Sequence, residues 1–110
     1  MSDTDILNGI LAATEEDLMP KVVAEFDHNG QTVSVVEPVY IADGEVERGY
    51  LWHAVIGDFV LSPTRPGGGD PDRWVPGKAE LLPGGRLVAM SSKSAKAAAV
   101  NARRQLRKEA

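Results

Sequence analysis

Residues 24–35 read AEFDHNGQTVSV. Asn29-Gly30, at the centre, is a pair that readily takes positive φ at two consecutive positions, as a type I′ hairpin turn demands. With a two-residue loop there, Phe26 faces Val33 and Ala24 faces Val35 on one side of the ribbon, while Asp27 faces Thr32 and Glu25 faces Ser34 on the other. One face is apolar and the other polar, so turn chemistry and strand alternation demand the same register. The chain is therefore expected to begin its core with an antiparallel hairpin.

Working outward, Pro38 interrupts the pattern and implies an edge position or a bend. Asp43-Gly44 is a second hairpin signal, pairing Ile41 with Val46. Gly57-Asp58 suits a type II′ turn that would pair Ile56 with Phe59 and Val55 with Val60. Tyr50 to Val60 is rich in β-branched and aromatic residues. Residues 21–61 thus read as an antiparallel meander. Across residues 62–77, eight of sixteen positions are proline or glycine, so an exposed, mobile loop is expected. Lys78 to Leu82 and Arg86 to Met90 then flank Pro83-Gly84-Gly85 and predict one more hairpin over 78–90.

Helices are expected at both ends. In residues 1–20, Leu7, Ile10, Leu11, Thr14 and Leu18 share one helical face, Asp3 or Thr4 can cap the start, and Pro20 ends it. Asn8-Gly9 leaves a short hairpin over 5–11 as the other reading. In residues 91–110 a helix is predicted over 92–108, capped by Ser91 or Ser92. Ala95, Ala99, Ala102 and Leu106 fall within an arc of about 60°, with the cations on the opposite side. This stripe of small residues permits a close approach but contributes only a few kcal/mol by burial. The fold class is α+β, one domain over 1–110. A five- to seven-stranded antiparallel meander, curled or small-barrel-like, is flanked by an acidic N-terminal helix and a basic C-terminal helix.

A chain of 110 residues suits one domain. With no cysteine, a disulfide scaffold, a thiolate zinc site and a thiol nucleophile are excluded. No apolar run approaches the roughly 18 to 20 residues of a membrane span. Asp3 and Asp5 precede the first apolar stretch, the wrong charge for a signal peptide, so a cytoplasmic location with no membrane contact is expected. The net charge of −4 conceals an asymmetry. Residues 1–60 hold 12 carboxylates and 2 cations, and residues 61–110 hold 4 carboxylates and 10 cations. Opposed charge blocks imply a basic tail that folds onto its own acidic body, docks on another copy or meets an outside anion.

Lys93, Lys96, Arg103, Arg104 and Arg107 on the C-terminal helix are therefore candidate partner-binding residues. Their face can neutralise phosphates, meet an acidic protein surface, or simply be solvated, with the cations near the helix end favoured by its dipole. Trp74, with Arg65 and Arg73 nearby, has the character of a loop anchor for a partner; it can equally cap one end of the sheet. Trp52, within a strand, is expected in the core. The twelve carboxylates of the first sixty residues are conceivable as a mimic of DNA charge, but turns, caps and outward strand faces account for most of them.

Asp70-x-Asp72 lacks the later glutamate of a calcium loop, and no metal or cofactor is expected. Ser34 or Ser62 with His53 and Asp58 makes a nucleophilic set only on paper, and His28 flanks a turn. The expected function is a non-catalytic interaction or assembly protein, such as a structural subunit of a virion or a small inhibitor or adaptor. It would dock through the 62–77 loop and the basic helix. The alternative is a nucleic-acid-binding accessory or regulatory protein using that helix, against which the net negative charge weighs.

Overall fold

The computed structural model describes residues 16–69 and 73–109. The N-terminal helix expected over 1–20, and the helix-or-hairpin alternative over 5–11, fall almost wholly outside that range. The described part opens with a 3-10 turn at Glu16–Leu18. The Arg48 guanidinium holds this turn by donating through Nη2 to the carbonyls of Glu16, Asp17 and Met19 and through Nη1 to Glu37 at 3.1 Å.

Strands β1 (Lys21–His28) and β2 (Gln31–Glu37) form the hairpin in the register set by Asn29-Gly30. Phe26 pairs with Val33, Ala24 with Val35, Asp27 with Thr32 and Glu25 with Ser34. Both turn residues have positive φ, 51° and 82°. A bulge at Val23 shifts the register by one beyond Ala24. After Pro38 the chain leaves this sheet, and β3 (Val39–Ala42) pairs with β4 (Glu45–Arg48) around Asp43-Gly44, with Ile41 opposite Val46.

The next two expected hairpins do not form. β5 (Trp52–Ile56) pairs with β2 on one edge and with β10 (Arg86–Ser91) on the other, giving a four-stranded antiparallel sheet in the order β1-β2-β5-β10. With both edges of β5 occupied, β6 (Phe59–Ser62) has nowhere to fold back. It pairs instead with β9 (Lys78–Leu81), Phe59 opposite Leu81 and Leu61 opposite Ala79. Residues 52–62 and 78–91 are therefore antiparallel partners along most of their length, and both bend at one corner. At that corner the Leu82 amide donates to the Asp58 carbonyl at 3.0 Å. A Cβ on Gly57 would collide with the Gly84 carbonyl, and one on Gly85 with the Asp58 carbonyl. The glycines that suggested hairpin tips are what lets two backbones cross in contact.

The described part of segment 62–77 holds a short ladder that its composition does not announce. β7 (Arg65–Pro66) pairs with β8 (Trp74–Val75). Thr64, 4% exposed, ties the base of this ladder to β3. Its hydroxyl donates to the Val39 carbonyl at 2.8 Å and accepts from the Gly77 amide at 3.1 Å. A buried hydroxyl with both roles satisfied offsets the weak propensity of the prolines and glycines around it.

Helix α1 (Ala95–Glu109) lies across one face of the four-stranded sheet. Its cap is Ser94, whose Oγ accepts the Ala97 amide at 3.0 Å; Ser91 instead accepts the Lys93 amide in the approach, so Lys93 precedes the helix. Ala98, Ala102 and Leu106 are buried against Val33, Val35, Ala54 and Ile56. At the far end Arg86 grips the Glu109 carboxylate with both Nη atoms. The opposite face of the sheet is covered by the β6–β9 ribbon, with Val36, Val55 and Ala79 forming a second apolar cluster. Among the described residues the architecture is thus α+β, with ten strands in four antiparallel sheets and one C-terminal helix. A single five- to seven-stranded sheet is not formed, and the ladders do not close into a barrel, because the paired strands bend apart into a second layer.

Candidate functional site

The corner and the β3–β4 hairpin leave a cleft on the ribbon side of the sheet. Its volume is about 860 Å³, within the range of ligand and peptide pockets. Tyr40 of β3, Trp74 of β8, Leu81 of the ribbon, and Leu87 and Met90 of β10 all line it. Several large apolar side chains that the fold leaves exposed gather here, including Tyr50 at 52%, Leu87 at 45% and Met90 at 46%. Clustered exposure of this kind marks a docking surface, whereas scattered exposure does not. Lys78 and Glu80 are the charged residues of its lining.

The turn carrying Tyr50 and Leu51 is held in an unusual conformation. Gly49 has φ 81° and packs against the Trp52 ring, and Leu51 has φ 60°. A left-handed leucine carries roughly 1–2 kcal/mol of strain. Here it directs a half-exposed apolar side chain to the boundary between two depressions. Tyr50 meets Tyr40 edge to face, with centroids 5.9 Å apart.

His53 lies in the floor of the cleft and is 7% exposed. Its Nε2 accepts the Ala79 amide at 3.2 Å, which places the ring proton on Nδ1, 3.4 Å from the Leu51 carbonyl. Burial pushes its pKa below the ordinary value, Lys78 adds to that push, and the Leu51 carbonyl opposes it. With both nitrogens turned to backbone, the imidazole fastens the ribbon to the sheet.

Beyond Leu51 and Met90, which line both depressions, lies a trough formed by the start of α1. Its lining includes Lys93, Lys96 and Arg104, with Ser94 and Asn101 between them, and no carboxylate. The positive end of the helix dipole lies in the same place.

The sequence-derived site residues therefore divide. Trp74 walls the cleft, and Lys93, Lys96 and Arg104 line the trough. Arg65 and Arg73 lie on or beside the small ladder, outside both. Arg103 stacks over the Phe26 ring at 4.2 Å, and Arg107 is exposed further along the helix. Of the ion pairs among the described residues, Arg48–Glu37 and Arg86–Glu109, neither uses a cation of α1. Trp52 packs against the helix-side core. Asp70 and Asp72 lie outside the described residues, among which no group of three or more His, Asp or Glu is placed to hold a metal. No helix among them is long and apolar enough to cross a membrane. Tyr40, Tyr50, Leu51, Leu87 and Met90 escaped the sequence reading because no local pattern links them.

Comparison with known protein families, with characterised proteins and with solved structures finds no match for this chain.

Proposed function

We propose that the chain is a non-catalytic interaction module, an adaptor, inhibitor or assembly subunit, that binds another protein through the cleft between Trp74 and Met90 and the basic trough beside it. The observation that carries this reading is the concentration of exposed apolar side chains in one concave surface, next to three cations. Such a surface supplies apolar area for affinity and a charged margin for orientation. The engagement of both His53 nitrogens with backbone supports a structural role for the one buried imidazole.

Light scattering and affinity capture with the wild type and Leu87→Asp test this. Leu87 is exposed, so the variant is expected to fold. Self-association, or a partner retained by the wild type and lost by Leu87→Asp, is the expected result. A monomer with no partner that depends on the cleft would sink the reading.

A second reading, nucleic-acid binding through α1, is favoured by one observation: Lys93, Lys96, Arg103, Arg104 and Arg107 are all exposed. Duplex DNA titrated across a salt series tests it. Three to five phosphate contacts would give a log–log slope of about −3 to −4.5. Charge reversal is the variant to use, because removing the helix would also uncover the sheet.

A further inference from the structure

The chemistry of the surface selects its occupant. The cleft is mostly apolar, with Lys78 and Glu80 its charged residues, whereas the trough carries Lys93, Lys96 and Arg104 without a carboxylate. Leu51 and Met90 belong to both, so one short ligand can lie across the boundary. Resting on the interaction-module reading, we infer that the occupant is a short acidic amphipathic segment of a partner protein. Its apolar side chains fill the cleft between Trp74 and Leu87, and its Asp or Glu side chains cross the Leu51–Met90 boundary onto Lys93, Lys96 and Arg104.

Charge complementarity decides among the occupants. A second copy docked about a two-fold axis at the Leu51–Met90 boundary would set each basic trough against the other copy's cleft, where Glu80 is the one carboxylate and Lys78 stands beside it, so three cations would find no matching acidic surface. A nucleic acid would use the three cations but not the apolar cleft, and its phosphates would meet Glu80 there. An uncharged apolar peptide would fill the cleft and leave the cations without partners. Only an acidic, apolar segment uses both halves. The left-handed Leu51 fits this assignment, because strain at an exposed apolar residue is retained where the surroundings enforce it.

The test is random dodecapeptide display on the full chain, followed by fluorescence anisotropy with the enriched peptides carrying fluorescein. Enriched sequences are expected to place Asp or Glu beside bulky apolar residues. Binding is expected to weaken with added salt. The triple reversal Lys93→Glu, Lys96→Glu, Arg104→Glu is expected to weaken it about tenfold or more. Lys108→Glu, on the same helix but outside the trough, is expected to leave it unchanged. Thermal melts of each variant separate loss of binding from loss of fold.

Peptides that depend on Leu87 but ignore the triple reversal would overturn the acidic occupant while leaving the interaction module standing. No enriched peptide, together with no cleft-dependent partner, would overturn both. Duplex DNA binding that the triple reversal abolishes and Leu87→Asp spares would assign the trough to nucleic acid and end this inference.

Discussion

His53 holds β9 to β5 through one neutral ring, and its protonation would remove the lone pair that accepts the Ala79 amide. An unfolded imidazole titrates near pH 6.5, and the folded value is lower. Between the two values the unfolded state binds more protons, so acid favours unfolding. This contribution is complete above about pH 6.5 and is lost as the pH falls toward the folded value, by at most about 1.4 kcal/mol per pH unit. Urea midpoints measured from about pH 8 down to about pH 5 should show that slope. His53→Leu should be less stable at the upper end, since the Ala79 amide loses its acceptor, and flatter below about pH 6.5. The role of this residue was not legible in the sequence. Its partner lies 26 positions away and arrives only when the ribbon folds over the sheet.

At the scale of elements, local signals succeeded where the structure they call for is also local. Asn29-Gly30 joins β2 to the edge strand β1, and Asp43-Gly44 joins the two strands of a separate ribbon, and both hairpins form in the expected register. Gly57-Asp58 and Pro83-Gly84-Gly85 are equally good turn signals, and Gly57 and Gly84 do have positive φ. They became the two sides of a corner because β2 and β10, distant in sequence, already occupy both edges of β5. Two substitutions distinguish a hairpin tip from a corner. Gly30→Ala meets no neighbouring atom and should cost about 1 kcal/mol for its positive φ alone. Gly57→Ala adds a backbone collision, so a further cost of about 1–3 kcal/mol is expected. Urea denaturation of both variants checks the difference. The helix was legible in its alanine stripe and its exposed cations, but its cap was placed too early. Ser94→Ala should cost about 1 kcal/mol, whereas Ser92→Ala should change stability by less than about 0.5 kcal/mol.

At the scale of the whole molecule, the candidate site draws on segments scattered from Tyr40 to Arg104. Charge layout and Trp74 pointed to parts of it, but no periodicity joins a turn at residues 49–51 to the middle of β10. The sheet depends on the helix in turn: a chain ending at Ser92 would uncover Val33, Val35, Ala54 and Ile56. Such a truncation should bind a hydrophobic dye and lose a cooperative thermal transition. The helix itself is held by Ala98, Ala102 and Leu106, with Ala95 and Ala99 half-buried beside them, the Arg103–Phe26 stack, the Asn101–Met90 hydrogen bond and the Arg86–Glu109 clasp. So small an apolar contact makes α1 an early unit to open, and its amides should exchange with solvent sooner than those of β2 and β5. The boundary shared by cleft and trough then acquires a mechanical meaning. A ligand resting on Leu51 and Met90 while gripping Lys96 and Arg104 would rivet the helix to the sheet. Occupancy would register as slowed deuterium uptake along the later turns of α1, at amides the ligand never touches.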